Sequence, residues 1–335
     1  MNVRFYYTFL KPQEKRMFDS ICAQLQVCQP EIHVTGSLQT ARKILPFVLN
    51  DCPEFFYADN TRMQFVSGMG TVSIRMRYTK DASQIRAIRQ RLDTIGRRFL
   101  AEVQKKQLNN QDTVRYVHDF ILKNTEYAQE SLDRQDLSGD VSNICGVFVN
   151  KRAVCKGIAL AAKWLLDQAG IPSGVIEGRV IRPEIAGMQK YIGKDSQNDH
   201  AWNVVNVNDV WQYMDITMDL GASQDNKSWI AYDYFLRGDA AMAEYVQYRN
   251  PYIDCKTEKY SYFVRNRTII SGEEDLRKYL RYCMKNRKKR LYFQVEESLA
   301  QKDASAIETL VSRTVRSEFR WRYNQKLHIY DFMLM

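Results

Sequence analysis

The chain is predicted to fold as α+β, on three observations. A helix signature opens at a cysteine in AVCKGIALAAKWLLDQAGIP, two strands form a hairpin in HAWNVVNVNDVWQYMDI, and both flanks mix helical and strand patterns. The central helix has apolar spacing through Ile158, Ala161, Ala162, Leu165 and Leu166, and stops at Gly170 with Pro172 beyond. A length of 335 residues allows two or three domains. The patterns divide it into an N-terminal α/β region (1–107), a core (108–245) and a C-terminal α/β module (246–335).

Hydrophobic content of 45% and charged content of 26% are those of a globular protein. No apolar run approaches the roughly 18 residues that span a bilayer. The opening MNVRFYYTFLKPQEKRMFDSICAQL lacks an apolar signal region and a small-residue cleavage site. A cytoplasmic location and no membrane partner are therefore expected. Seven cysteines, at 22, 28, 52, 145, 155, 255 and 283, include no C-x-x-C pair, and the four histidines lie far apart. They are expected to be mostly reduced and structural, with no metal or other cofactor.

The net charge of +10 has its densest run at Lys285, Arg287, Lys288, Lys289 and Arg290, between an amphipathic helix and a strand. Cations suit a helix C-terminus, so the run reads as a solvated helix end rather than a phosphate-binding patch. With no nucleic-acid-binding motif beside it, no nucleic-acid partner is expected.

In the N-terminal region PQEKRMFDSICAQLQ reads as a helix with proline in its first turn, and EIHVT as a strand. LQTARKILPFVLNDC reads as a helix bent or interrupted at Pro46, and FFYA, MQFVSG and TVSIRMRY as consecutive strands. One long basic helix then runs from Asp81 to about Gln107. Asp112 is the expected cap of the next helix, TVRYVHDFILKNTEY, which puts Val114, Val117, Phe120 and Ile121 on one face. His33 and His118 read as structural histidines, and AQESLDRQDLSGDVSN as a surface loop.

In the core, strands are expected at about Ser173–Ile181, His200–Val207 and Val210–Ile216, the last two joined by Asn208-Asp209. With that turn, residues whose numbers sum to about 417 face each other, which sets His200 nearly opposite Asp215. Beyond Gly238, YSYFVRN reads as a strand, EEDLRKYLRYCMKN as a helix and RLYFQVE as a strand. A helix near Ala304–Val315 and a strand LHIYDFML, with His328 structural within it, complete the module.

Cys155, His200 and Asp215 are the parts of thiol-based acyl transfer: nucleophile, base, and an acid to orient the base. Cys155 falls in the first turn of its helix, where unpaired amides and the positive dipole end favour a thiolate. Lys156 would add a cation, and Gly157 would leave room for a substrate backbone. The Cys155 amide would be one oxyanion donor; no second donor is legible.

The segments VRYVHDFILKNTEY, GVFVNKRAVCKGIALAAKWLLDQAGIPSGVIEG, HAWNVVNVNDVWQYMDITMD and YDYFLRGD resemble the transglutaminase-like superfamily of papain-type thiol enzymes, bacterial members above all. The resemblance implies a papain-like core, with the cysteine helix packed on an antiparallel sheet. It implies Cys155 as nucleophile, His200 as base and Asp215 as its partner. The sequence departs from the family at Ile158, where tyrosine is frequent, at Ile216 in place of proline after the aspartate, and at Met218 in place of tryptophan. No reactive group is lost, so the departures bear on substrate preference. Trp202 and Trp211 read as cross-strand packing, with Trp202 also a candidate substrate contact. Asp219 has no acidic loop around it to support calcium binding.

The expected activity is acyl transfer or hydrolysis at an amide of a protein or peptide, by a transglutaminase, deamidase or protease. The alternatives are a non-catalytic protein-binding module on the same fold and, behind it, a nucleic-acid binder.

Overall fold

A computed structural model describes residues 4–59, 63–134, 139–180, 200–223, 229–248, 252–300, 304–315 and 317–335. The N-terminal part begins with helices α1 (Phe5–Thr8) and α2 (Pro12–Gln26), strand β1 (Glu31–Thr35) and α3 (Leu38–Asp51). Pro46 lies inside α3, which continues through it. The predicted strand FFYA is instead turn: a 3-10 helix at Pro53–Phe55, set by Pro53 directly after α3, runs into it, and only Ala58 bridges, to Tyr78. Strands β2 (Gln64–Ser67) and β3 (Thr71–Arg75) complete a sheet of order β1-β3-β2.

The long helix α4 (Ala82–Lys105) leads into α5 (Asn110–Asn124). Asp81 caps α4 through the Ser83 and Gln84 amides. The cap of α5 is Asn109, whose side chain accepts from the Asp112 amide, and not Asp112 as predicted. Asp112 lies in the first turn and pairs with Arg265. Strand β4 (Glu126–Tyr127) and helix α6 (Gln129–Asp133) follow. The segment predicted as surface loop therefore contains a helix, and Ser142 near its end is buried; residues 135–138 of it lie outside the described residues.

Strand β5 (Arg152–Ala153) precedes α7 (Cys155–Gln168). Then come β6 (Ser173–Val180), β7 (His200–Val207), β8 (Val210–Met214), helix α8 (Ile216–Ser223), β9 (Phe235–Arg237), helix α9 (Asp239–Ala243) and β10 (Val246–Tyr248). The five strands form one antiparallel sheet of order β10-β6-β7-β8-β9. Helix α7 packs on it, and Asn203 of β7 ties the two by donating to the Ala159 carbonyl at 2.9 Å. The hairpin register runs from Val207 opposite Val210 to Asn203 opposite Met214. Asn208 and Asp209 both take positive φ, as a type I′ turn requires.

The C-terminal part holds α10 (Tyr262–Asn266), β11 (Ile269–Ile270), α11 (Glu273–Lys285), β12 (Arg290–Val295), α12 (Glu297–Ala300), α13 (Ala304–Val315), β13 (Phe319–Asn324) and β14 (Ile329–Leu334). Its four strands are ordered β11-β12-β14-β13. YSYFVRN, predicted as a strand, forms α10 because Ser261 caps it through the Val264 amide. His328, predicted within the last strand, precedes β14 in a turn at φ 52°.

One apolar core runs from Phe5 to Val246 and on through Phe263 to Tyr292, Leu327 and Ile329; a second fills the C-terminal sheet. The parts interlock. Gly96 of α4 lets the helix approach Trp164 of α7, which a Cβ would meet at 3.2 Å. Strand β10 pairs with β6, so the central sheet reaches past residue 245. Mixed helices and sheets make the fold α+β. Among the described residues no helix is long and apolar enough to cross a membrane.

Candidate active site

Val154 is extended and gives α7 no side-chain cap; the buried Tyr127 phenol lies instead against the backbone amide of Cys155. Just before it, β5 pairs in parallel with β4, setting Tyr127 opposite Ala153. That pairing brings a buried phenol against the cysteine; burial first, then the charge of Cys155, pushes the Tyr127 pKa well above the ordinary tyrosine value. Tyr127 was missed from sequence as a site residue. The only available signal was its place at the end of TVRYVHDFILKNTEY, because parallel pairing across an irregular stretch leaves no periodic trace.

The predicted role of Gly157 is corrected. A Cβ there would meet the Val141 carbonyl at 2.4 Å and that of Asn143 at 3.0 Å. The chain's own backbone occupies the space assigned to substrate. Lys156 turns to Asn50 of α3 and Glu177 of β6, bonding both. An N-terminal residue thus meets the side chain next to the cysteine.

His200 opens β7 and is 3% exposed. Its Nε2 lies 2.6 Å from Asp215 Oδ2. Its Nδ1 is buried, and the Cys155 thiol lies beside the ring. Burial alone would lower the His200 pKa; the Asp215 carboxylate and the Cys155 thiol outweigh it and lift the value to about 10. Asp215 is fully buried, and its Oδ1 accepts the Met218 amide at 3.1 Å, capping α8. Trp202, the candidate substrate contact, is 1% exposed and stacks on the His200 ring at 5.6 Å. Its ring supports the imidazole. Trp211 packs edge-on against Phe5 at 5.5 Å.

His118, predicted as a packing residue, is buried with Nε2 3.1 Å from Asp219 Oδ2 and Nδ1 3.0 Å from Asp119 Oδ1. His33 Nδ1 lies 2.9 Å from Ser73 Oγ. At the basic run, Arg290 is a bidentate partner of the buried Asp331, at 2.8 and 2.7 Å. All seven cysteines are free thiols. Among the described residues no group of three or more His, Cys, Asp or Glu side chains is arranged to hold a metal.

A helix opening at a cysteine, set against an antiparallel sheet in which one strand opens on His200 and the next ends just before its partner Asp215, defines the papain-like class of α+β core. Residues 97–233 match the family model of the Transglutaminase-like superfamily, so this central stretch carries a transglutaminase-like core. Among solved structures the chain is similar to a TGase, at TM-score 0.31 and 16% identity, over 56% of this chain and 51% of that one. It is also similar to a candidate cysteine protease from Cytophaga hutchinsonii, at TM-score 0.28 and 16% identity, over 47% and 61% of the two chains. A third is a candidate protease from Parabacteroides distasonis, at TM-score 0.27 and 16% identity, over 45% and 35%. The chain spans about half the length of the TGase it matches. No curated protein matches it.

Proposed function

We propose that the protein is a cysteine-dependent acyltransferase or hydrolase acting on an amide of a protein or peptide. The observation that carries this reading is the setting of His200: Nε2 is held by Asp215, and the Cys155 thiol lies beside the ring. In this scheme the thiolate of Cys155 attacks the amide carbonyl. The His200 imidazolium gives its proton to the departing ammonia or amine, leaving a thioester. Water or a lysine amine then attacks the thioester, with neutral His200 taking the incoming proton, and the thiol is restored. Asp215 keeps the ring oriented throughout. The Cys155 amide and the Tyr127 hydroxyl are the candidate donors to the oxyanion.

The test is the alkylation rate of Cys155 against pH, resolved from the other cysteines by peptide mapping, in wild type, His200→Ala and Asp215→Asn. Fast labelling well below pH 8 that disappears in His200→Ala supports the ion pair. An ordinary thiol profile unchanged by either variant would sink the reading. A second reading, a non-catalytic protein-binding module, is favoured by the burial of the site, where Cys155 is only 8% exposed. It expects partner binding to survive alkylation of Cys155 and no turnover of glutamine peptides.

A further inference from the structure

Asp215 is not held by strand pairing. The ladder between β8 and β9 is irregular at Tyr213 and Met214, immediately before it. Its amide instead donates to the Tyr234 carbonyl at 3.0 Å. The amide of Tyr234 donates in turn to Asp219 Oδ1 at 3.1 Å, and the other oxygen of Asp219 meets His118 Nε2 at 3.1 Å. Beyond His118 the path continues to Asp119, whose second oxygen accepts the Tyr232 hydroxyl at 3.0 Å. The His118 ring is fixed by a stack on Tyr232 and an edge contact with Phe235, both at 5.1 Å.

His118, Asp219 and Asp215 are all fully buried. A buried carboxylate–imidazole chain is a costly way to fill a core, since apolar side chains of similar volume stabilise as well or better. What this chain does fix is a position. It anchors the segment around Tyr234 to α5, and through that segment the backbone of Asp215 beside His200.

We propose that Asp219 and His118 are positioning residues for the Cys155–His200–Asp215 site, holding Asp215 through Tyr234 at bonding distance from His200. The inference rests on the thiol-enzyme reading above. Neither residue touches the reacting atoms; each acts on the orientation of the imidazole.

The test is the pH profile of Cys155 alkylation on the full chain, with the melting temperature of each variant beside it. Wild type, His200→Ala, Asp219→Asn, His118→Gln and Ser223→Ala are compared. Ser223 is the control: its Oγ bonds the Asp219 carbonyl and the Ala231 amide, so Ser223→Ala loosens α8 without touching the carboxylate. Asp219→Asn and His118→Gln are expected to slow labelling at pH 7 by on the order of ten- to a hundredfold, since displacement of a reactive group by ~1 Å costs that much. Their profiles should move toward that of His200→Ala, while Ser223→Ala lowers the melting temperature and leaves the profile in place. Should Asp219→Asn fail to fold, His118→Gln carries the same reading. Profiles of both variants that overlay wild type despite lower melting temperatures would overturn the positioning role alone. A wild-type profile indifferent to His200→Ala would overturn the thiol-enzyme reading, and this inference with it.

Discussion

His200 is flanked by two groups that favour its charged form, the Asp215 carboxylate and the Cys155 thiol. Its pKa is lifted to about 10, so its protonated form is the one the fold favours. A base raised above its unfolded value adds stability that is complete below about pH 6.5 and lost as pH rises through about 10. Wild type is therefore expected to lose on the order of 2 kcal/mol more than Asp215→Asn between pH 7 and pH 10, read by urea titration at both values. Equal losses in the two proteins would contradict the assignment of Asp215 as the stabilising partner. Gly157 gives a second residue-scale prediction. Gly157→Ala should lower stability by roughly 1–3 kcal/mol, since its methyl must displace the Val141 carbonyl rather than a flexible side chain. A melting temperature equal to wild type would show that the 139–143 turn yields freely. Cys155, His200 and Asp215 were legible because each stands at a sequence-marked boundary, a helix start or a strand end. Tyr127 and the filled space at Gly157 were not, because both depend on which backbone segment comes to lie beside the helix.

The β7–β8 hairpin shows how far a local rule reaches. Two polar residues between two apolar runs fixed the turn, the turn fixed the register, and the register set His200 near Asp215. Asp209 takes φ 66°, where a non-glycine residue is strained. Asp209→Gly is therefore expected to raise stability by about 0.5–1 kcal/mol in thermal unfolding, with the labelling profile of Cys155 unchanged. Elements outside the core were harder to read. The alternation in YSYFVRN suits a strand, yet a serine cap and a left-handed Arg267 close it as one helical turn and a half. The turn at His328 was masked by apolar neighbours on both sides. Short elements are decided by caps and tertiary packing more than by periodicity.

At the scale of the whole molecule, the outer parts are joined to the centre by buried groups that the sequence could not pair. Phe5 fills the space left by Gly174, where a Cβ would meet its ring at 2.5 Å, and Tyr6 donates to the Val175 carbonyl. On the other side Arg322 makes two bonds of 2.8 Å to the buried Asp233 and one of 3.0 Å to Asp331, while Trp229 donates to Asp331 at 2.6 Å. These contacts have opposite consequences in acid and base. Burial would raise the Asp233 pKa, but Arg322 outweighs it and holds the value near about 2. Its stabilising contribution is present above about pH 4 and lost as pH falls through about 2. Asp51, at the N-terminal junction, is the reverse case: burial lifts it to about 6, and its Oδ1 has no hydrogen-bond partner among the described residues. Its contribution is complete below about pH 4 and lost as pH rises through about 6. Asp51→Asn keeps an acceptor for the Tyr7 amide and removes the buried charge. It should stabilise by on the order of 1–3 kcal/mol at pH 8 and change little at pH 4. Arg322→Ala should cost about 3–5 kcal/mol at pH 7 by leaving Asp233 unpaired, with the loss shrinking as Asp233 protonates. A loss from Arg322→Ala that stays constant down to pH 2 would mean that packing, and not the ion pair, holds the C-terminal sheet to the core.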